Sequence, residues 1–305
     1  MGSRVLIIGS RGSALALWQA NYVAGRLREL KIETRIEIIK TSGDHMASAS
    51  LSKAGGKGLF TKEIEDALLS GAIDVAVHSL KDLPTETPPG LAIAAIPERE
   101  DARDALAGHT LDSLPRAARV GTSSPRRSAQ LLNLRDDLNI VPIRGNVDTR
   151  LRKLKEGEFD AIILAVAGLR RLGLEAAITQ VFSPDEMCCA PGQGALAIQT
   201  RESGAERDTC SRLNHVESER AVKCERAVLA ALGGGCQLPI GAFAVVNGSR
   251  LQLTAVVASP DGTTLIREKE QGLASEPVEL GGLVAERLRL RGASKLLGAL
   301  APAQL

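Results

Sequence analysis

The segment Val5-Leu6-Ile7-Ile8-Gly9-Ser10-Arg11-Gly12-Ser13-Ala14 decides the fold that the sequence predicts. Its aliphatic run Val5–Gly9 is typical of a buried β-strand. The polar turn Ser10–Ser13 follows, and a helix is predicted from Ala14 to about Leu30. Because strand, turn and helix occur in this order, the segment indicates one unit of an α/β domain.

The next hundred residues extend this first α/β unit. Further strands are predicted at Arg35–Lys40, Ile73–His78 and Leu91–Ile96, and a helix at Thr61–Ser70. The alternation indicates a mainly parallel sheet covered by helices. Between these elements, His45–Gly58 is rich in Ala, Ser, Gly and Lys without apolar periodicity. We expect a mobile loop there that could serve as a lid.

A second stretch repeats the plan. Its elements are strand Arg119–Thr122, turn Ser123–Pro125, helix Arg126–Arg135, strand Asn139–Ile143, helix Val147–Glu156 and strand Ala161–Val166. In both stretches an arginine-bearing polar turn follows the first strand and opens a helix, where backbone amides and the helix dipole favour anions. Two such edges facing each other would form one cleft for an anionic ligand, a hypothesis that rests on the pattern.

The chain after about Glu202 has a different style. An amphipathic helix is predicted at Asn214–Leu232, followed by three strands and a last helix, which together indicate a small α+β domain. These later elements are Ile240–Val246, Leu251–Val257, Thr263–Lys269 and Glu276–Arg291. At 305 residues the chain is long enough for two or three domains.

Composition narrows the class of ligand. The net charge is +2, and there are six aromatic residues, so a nucleic-acid-binding or membrane-surface protein is not expected. The chain holds 27 arginines against 11 lysines. Arginine binds carboxylates and phosphates bidentately, so the excess favours a small polyanionic ligand, although genomic base composition also explains such a bias. No apolar run is long enough to span a bilayer, and the first four residues lead directly into a strand, so a cytoplasmic protein is expected.

The cysteines present one informative motif. Five cysteines without CxxC spacing fit a reducing compartment and argue against a metal site. Cys224 is interpreted as a small hydrophobe on the buried face of its helix, and adjacent Cys188 and Cys189 are poorly placed to share a metal. Cys236 follows three glycines, Gly233–Gly235. It could be a nucleophile, a metal ligand or a point of covalent attachment, or the glycines could merely cap the helix.

Two glycine-rich motifs lack the neighbouring residues that phosphate or dinucleotide binding needs, whereas one charged pair lies where a ligand could bind. Gly55-Gly56-Lys57-Gly58 lacks the Ser or Thr that a phosphate loop needs after its lysine, and Gly192–Ala197 precedes a strand-like run instead of opening a helix. Lys81 and Asp82 stand where a strand of the first unit ends, and open α/β sheets bind ligands at that edge. Asp82 could there accept a hydrogen bond from an N–H donor and stabilise a developing cation. The alternative interpretation is that Lys81 and Asp82 are two solvated charges of a loop.

Several of these segments together resemble one family. Nearly the whole chain is similar to the porphobilinogen deaminases, also called hydroxymethylbilane synthases. The matching segments are Arg11–Ala16 with Gln19, Gly55–Phe60, His78–Pro84, Gly121–Arg127, Arg144–Val147 with Arg150, Ala165–Gly173, Gly192–Ala195 and Gly233–Gly241.

The resemblance implies an architecture and an activity. The fold class is α/β, with two periplasmic-binding-protein-like doubly wound domains plus a small α+β C-terminal domain. The expected boundaries are 1–97 with 191–212 for domain 1, 98–190 for domain 2 and 213–305 for domain 3. The family carries a dipyrromethane cofactor through a thioether, which here implies attachment at Cys236. Four porphobilinogen molecules are then added with loss of ammonia, and the linear tetrapyrrole hydroxymethylbilane is released by hydrolysis, a transferase step of porphyrin and heme biosynthesis.

The resemblance also implies site residues, while a monomer is the default expectation because no association motif is evident, and the cysteine spacing gives no reason to expect a metal. Asp82 corresponds to the catalytic aspartate. The cofactor-binding residues that it implies, besides Cys236, are Lys81, Ser124, Arg126 and Arg127. The implied contacts of the substrate and growing chain are Arg11, Ser13, Gln19, Arg144, Arg150, Arg171 and Gln193, with Phe60 as an apolar wall. Each pyrrole ring brings one acetate and one propionate, so the resemblance gives the arginine excess a chemical reason.

Two other functions compete with this one. A two-lobed anionic solute-binding protein without catalysis would explain the paired turns, but it leaves Cys236 without a role. A cysteine acyltransferase or hydrolase would use Cys236, but it needs a histidine nearby, and His78 or His215 would have to be brought there by the fold.

Overall fold

The computed structural model describes residues 5–41, 61–235 and 237–298. The predicted loop His45–Gly58, Phe60 and Cys236 lie outside these residues. The described chain divides into two compact units. One comprises the residues up to Arg99 with Ala195–Glu219, and the other comprises Glu100–Gly194 with the residues from Arg220 onward. The three-domain boundaries given above remain a prediction.

The helices and strands of the described residues follow in chain order. The first half contains β1 (Leu6–Ser10), α1 (Ala14–Glu29), β2 (Thr34–Ile38), α2 (Lys62–Leu69), β3 (Val75–Ser79), β4 (Leu91–Ala95), β5 (Asp104–Ala107), β6 (Arg119–Gly121), α3 (Pro125–Leu134), β7 (Asn139–Val141) and α4 (Val147–Lys155). The second half contains β8 (Ala161–Ala165), α5 (Val166–Arg171), β9 (Ile178–Val181), β10 (Leu196–Arg201), α6 (Ala205–Ser211), α7 (Val216–Ala231), β11 (Ile240–Asn247), β12 (Arg250–Ala258), β13 (Leu265–Leu273), α8 (Pro277–Leu290) and α9 (Ala293–Gly298). None of these helices combines the length and the apolar character needed to cross a membrane.

The first unit is built on a five-stranded sheet of order β2-β1-β3-β10-β4. Strand β1 pairs in parallel with β2 and β3, as the strand-turn-helix pattern predicts. Helix α1 covers the sheet because Val23 and Leu27 on one of its faces are fully buried in the same cluster as Ile8. Burying a side chain of this size stabilises the fold by about 1.5–3 kcal/mol.

The second unit contains a sheet of the same plan, of order β7-β6-β8-β5-β9. Here β6 pairs in parallel with β7 and β8, so β6, β7 and β8 correspond to β1, β2 and β3. The predicted repeat is therefore confirmed.

The expectation of mainly parallel sheets is confirmed, and one strand in each sheet is antiparallel to its neighbours. Strand β10 runs antiparallel to β3 and β4, and β5 runs antiparallel to β8 and β9. The chain enters β5 after leaving β4 of the other sheet, and it enters β10 after leaving β9. Neither strand follows a helical crossover from a neighbour in its own sheet, and such a crossover is what makes consecutive strands parallel.

The predicted small α+β region is also present. Helices α7 and α8 and the antiparallel sheet β11-β12-β13 enclose one core, which includes the fully buried Cys224, Val228 and Leu253. It packs against the second sheet's helix α3, since a Cβ on Gly262 would lie 2.7 Å from the carbonyl oxygen of Ala129. The fold class that the sequence predicts is thus the observed one.

Candidate active site

The turn after β1 starts the candidate site in the first unit. Ser13 caps α1, and its Oγ accepts from the backbone N–H of Ala16 at 3.3 Å. Arg11 and Ser13 are both half-buried at the carboxyl edge of the sheet. The N-terminus of a capped 16-residue helix offers partial positive charge beside the Arg11 side chain.

The turn after β3 reaches the same edge and carries the predicted catalytic acid. Residues Leu80–Asp82 form one short 3₁₀ turn. The N–H of Leu80 donates to the carbonyl of Ala195 at 3.0 Å, and both Leu80 and Leu83 are buried. The apolar residues fix this turn from below, so the exposed Asp82 and half-buried Lys81 are held at the surface. Because β1 and β3 are parallel neighbours, Asp82 and Arg11 lie at one edge of the sheet.

Gln19 links these two turns. Its side chain is buried, and its Nε2 donates to Oγ of Ser79 at 2.8 Å, directly before the Asp82 turn. In this structure the amide nitrogen of Gln19 positions the end of β3. Its role as a substrate contact stays a prediction.

A buried polar network, which no sequence pattern predicted, includes His78 of strand β3. Nε2 of His78 lies 3.0 Å from Oε1 of Gln199, and Nε2 of Gln199 donates to Oε1 of Glu65 at 3.1 Å. An amide oxygen accepts, so His78 carries its proton on Nε2. Burial lowers the pKa of His78 to about 4, although the bond to Gln199 opposes the shift. His78 is therefore a neutral structural residue at pH 7.

The second unit holds the predicted cofactor-binding residues at the start of α3. Ser124 is the N-cap, Pro125 occupies the first turn, and the Ser124 Oγ accepts from the N–H of Arg127 at 3.5 Å. Arg126 and Arg127 follow in the same turn and are 4% and 6% exposed. Two buried cations at the positive end of a helix are unfavourable without a counter-charge.

Asp104 supplies that counter-charge, and the sequence analysis missed it. It is fully buried, its Oδ2 lies 2.8 Å from Nη1 of Arg126, and its Oδ1 accepts from Nη2 of Arg127 at 2.7 Å. Nε2 of Gln193 donates to the same Oδ1 at 2.9 Å. Burial alone would raise the pKa of Asp104, but both guanidinium groups and Gln193 outweigh it and hold that pKa well below the usual range.

Two more of the predicted arginines lie after β7: Arg144 in the loop that follows the strand, and Arg150 near the start of α4. Arg144 and Arg150 are half-buried, and Nε of Arg150 donates to the carbonyl of Gly145 at 2.7 Å. Ser123, which follows β6, fixes their loop because its Oγ donates to the carbonyl of Ile143 at 2.8 Å. The carboxyl ends of these parallel strands therefore gather Arg144 and Arg150 with the start of α3 at one sheet edge.

Arg171 and Gln193 support the turn that leads into β10. Arg171 is buried, and its Nη2 donates to the carbonyl of Gly194 at 2.6 Å. Gly194 has a φ of +85°, and a Cβ there would lie 2.3 Å from the carbonyl oxygen of Glu100. The turn thus requires glycine, and the bonds seen for Arg171 and Gln193 are internal. Their predicted contacts with substrate stay predictions.

The three glycines before Cys236 differ in backbone conformation and in surroundings. Gly233 ends α7 with a φ of +68°, as the helix-capping interpretation expects. A Cβ on Gly234 would lie 2.7 and 2.8 Å from terminal methyl groups of Leu229 and Ile240, so these side chains would have to shift to accept a larger residue. A Cβ on Gly235 would meet none of the described atoms within 4 Å. Gly235 is exposed, so the described residues leave open space at this position.

Four other cysteines are poor nucleophiles. Cys188, Cys189, Cys210 and Cys224 are reduced and fully buried. Burial raises the pKa of Cys188, Cys210 and Cys224 to about 12. The interpretation of Cys224 as a core residue is confirmed. The role of Cys236 stays a prediction.

Glu225 is a second buried acid that the sequence analysis missed. It lies on α7, its Oε2 accepts from the N–H of Gly192 at 2.7 Å, and its Oε1 accepts from the N–H of Ala244 at 2.8 Å. It therefore joins the helix that leads to the glycine loop, the turn before β10 and strand β11.

Comparison with known proteins decides the family. Residues 6–209 match a family model described as porphobilinogen deaminase, dipyromethane cofactor binding domain, and residues 219–289 match the model of the porphobilinogen deaminase C-terminal domain. The chain belongs to the porphobilinogen deaminase family. A porphobilinogen deaminase from Methylobacillus flagellatus is 48% identical over 97% of this chain and 98% of its own. One from Shouchella clausii is 49% identical over 96% of each chain.

The family membership confirms the resemblance and removes the two competing functions. Both the α/β part and the C-terminal part match deaminase models, so neither a solute-binding protein nor a cysteine hydrolase accounts for the whole chain. A solved periplasmic substrate-binding protein from Coxiella burnetii is 13% identical, with a TM-score of 0.42 over 68% of this chain and 91% of its own. The strand order, rather than this similarity, defines the fold class.

The residues of this deaminase fit the dipyrromethane group of the family. Two pyrrole rings bring four carboxylates, counting the acetate and propionate of each. In the second unit, Arg126 and Arg127 face the single carboxylate of Asp104, so one positive charge remains uncompensated within the trio. Nε of Arg126 is buried and lacks a hydrogen-bond partner among the described residues. The donor set therefore suits an anionic group.

Proposed function

We propose that this chain joins four porphobilinogen molecules in turn to a covalent dipyrromethane primer, with loss of ammonia, and releases hydroxymethylbilane. The observation that carries the proposal is the match of both deaminase family models, which together reach from residue 6 to residue 289. The site residues named below are part of the proposal.

Asp82 is the proposed catalytic residue. In each addition the C–N bond of the aminomethyl group breaks, ammonia leaves, and a C–C bond forms to a free pyrrole carbon, which then loses its proton. The departing ammonia leaves positive charge on the substrate pyrrole. The carboxylate of Asp82 is exposed on a turn anchored by buried Leu80 and Leu83, so it can accept from a pyrrole N–H and stabilise that charge.

Cationic and hydroxyl side chains are proposed to bind the carboxylates. Lys81, Ser124, Arg126 and Arg127 would hold the dipyrromethane, which when bound supplies the free pyrrole carbon for the first addition. The substrate and growing chain would contact Arg11, Ser13, Gln19, Arg144, Arg150, Arg171, Gln193 and Phe60. Forked arginine contacts fix both position and orientation, which lowers the entropic part of the barrier.

Cys236 is the proposed attachment point. It follows the exposed Gly235, whose Cβ position is clear of the described atoms, and a bulky substituent on sulfur needs such clearance. The four described cysteines are buried in their own cores and have no such space around them.

Intact-protein mass spectrometry tests the function. The purified chain should carry an addition of two pyrrole units, the Cys236→Ala variant should lack it, and the matched Cys210→Ala variant should keep it. Porphobilinogen consumption should follow the addition. Turnover by a protein of unmodified, fully reduced mass would contradict the cofactor assignment.

We also propose that the protein acts as a cytoplasmic monomer without nucleic acid. The four described cysteines form no disulfide with one another, which suits a reducing compartment, and the net charge of +2 is low for a protein that binds a polyanionic polymer. Light scattering on the purified protein tests the monomer, cell fractionation tests the location, and the ratio of absorbance at 260 and 280 nm tests for bound nucleic acid. A dimer mass, a membrane-pellet location or co-purifying nucleic acid would contradict the respective statement.

A further inference from the structure

Asp104 is a buried acid that no step above uses. It lies at the first position of β5, is 0% exposed and is tied to two arginines on another element. In a fold of this kind a fully buried carboxylate persists only when its partners compensate its desolvation. Asp104 therefore holds the first turn of α3 in place through Arg126 and Arg127.

The trio of Asp104, Arg126 and Arg127 carries one net positive charge. Arg126 and Arg127 are adjacent in the first turn of α3, where the helix dipole already disfavours cations. One carboxylate between them removes most of their mutual repulsion and leaves a single net positive charge. A second buried acid would leave none, and the site would no longer attract an anion.

Hydrogen bonds to backbone carbonyls also fix the ends of both guanidinium groups. Nη1 of Arg127 donates to the carbonyl of Ile163 at 3.1 Å, and Nη1 of Arg126 donates to that of Cys188 at 2.6 Å. Gln193 Nε2 holds Asp104 and also donates to the carbonyl of Ala102 at 2.7 Å. The forks are thus set in place by β5, β8 and the 188–193 segment before any ligand arrives, and a preorganised site binds without the loss of side-chain entropy.

We propose that Asp104 is a positioning residue for the dipyrromethane group. It sets both the orientation of the Arg126 and Arg127 forks and the single positive charge that remains to meet the carboxylates of that group. The inference rests on the proposed function, because it concerns the loading of the same site.

The test measures loading, not turnover. Full-length apo-protein, made in cells that produce no porphobilinogen, is mixed with porphobilinogen, and the gain of two pyrrole units is followed by intact mass against time. Asp104→Asn keeps the shape of the side chain and removes its charge. We expect loading to slow by about tenfold or more. Without the charge of Asp104, at least one charge-assisted hydrogen bond between an arginine of the pair and a carboxylate of the dipyrromethane group would be misplaced.

A matched control separates positioning from loss of stability. Asp74 is also a buried acid, 1% exposed, and its Oδ1 accepts from Nη2 of Arg201 at 3.0 Å in the first unit. Asp74→Asn should lower the thermal midpoint to a similar extent but load at the wild-type rate, when both are measured at a temperature where both are folded.

A second variant keeps the inference testable if Asp104→Asn does not fold. Asp104→Glu retains the charge but moves the carboxylate by one methylene, so we expect it to fold and to load more slowly than wild type. Loading of both Asp104 variants at the rate of Asp74→Asn would overturn the inference. If the wild type itself gains no pyrrole units, the proposed function fails instead.

Discussion

Replacing Glu225 by glutamine would test how the helix that leads to Cys236 is held. The Glu225 side chain is fully buried and accepts two backbone N–H groups, those of Gly192 and Ala244, at 2.7 and 2.8 Å. Glutamine preserves the shape, but its amide nitrogen donates and does not accept. In Glu225→Gln one of these two backbone groups would therefore face another donor.

The size of the effect follows from that mismatch. A buried N–H left without an acceptor costs about 1–3 kcal/mol, and the surviving bond loses its charge-assisted character. We expect the free energy of unfolding to fall by about 2–4 kcal/mol. The neutral side chain is easier to bury than a carboxylate, which places the result toward the lower end of that range.

Urea unfolding and amide hydrogen exchange measure the change at two levels. Exchange at Gly192 and Ala244 should accelerate in Glu225→Gln, which reports on the two bonds whether or not unfolding is two-state. Glu217→Gln, on the exposed face of the same helix, is the control and should stay within about 0.5 kcal/mol of wild type. If Glu225→Gln behaves like this control in both measurements, the two hydrogen bonds do not stabilise the junction.

Three further predictions concern the first unit and the turn before β10. Asp82→Asn should fold normally and lower kcat for porphobilinogen by roughly 10²–10³, because its carboxylate charge is lost; wild-type kcat would refute its role. The pKa of His78 falls from 6.5 to about 4 on folding, so the unfolded chain binds the proton more tightly and stability is lost as pH falls from 6.5 toward 4. His78→Gln should lessen the loss of unfolding free energy between pH 7 and pH 5 by about 2 kcal/mol, and an unchanged loss would argue against a buried neutral histidine. Gly194→Ala should destabilise by about 2–4 kcal/mol in thermal melts, because its Cβ would meet the Glu100 carbonyl, whereas Gly248→Ala, with a φ of +61° but open space, should cost about 1 kcal/mol; equal costs would contradict the steric argument.

Local sequence patterns predicted the elements that local physics controls. The aliphatic runs of β1 and β8 and the serine caps of α1 and α3 carry their own signals, and the structure shows each element within one or two residues of its predicted limits. The paired strand-turn-helix pattern also predicted that two sheets would share one plan.

Elements set by distant contacts were not predicted. Strand β5 consists of Asp-Ala-Leu-Ala and contains no β-branched or aromatic residue, and β9, although three of its four residues are β-branched, is too short to stand out. The reversed directions of β5 and β10 depend on where the chain passes from one sheet to the other, which no local window contains.

The same limit applies within the candidate site. Asp104 stands in the charged sequence Asp101-Ala102-Arg103-Asp104, which is typical of a solvated loop, and its partners lie more than twenty residues along the chain. Glu225 fits the helical pattern of α7, and nothing in that pattern indicates that its carboxylate accepts hydrogen bonds from two backbone N–H groups. Sequence patterns favour residues with a distinctive neighbourhood, such as Cys236 after three glycines, and pass over acids whose role depends on tertiary pairing.

The two corresponding turns of this deaminase have come to hold their arginines in different ways. In the first, Arg11 precedes the cap Ser13 and lies outside α1, half-buried at the sheet edge. In the second, Arg126 and Arg127 lie inside the first turn of α3, a position that the helix dipole penalises and that only a buried counter-charge makes stable. Arg126 and Arg127 are held in place with a defined residual charge, which suits a group that stays in place, and this supports the proposal that they bind the permanent primer.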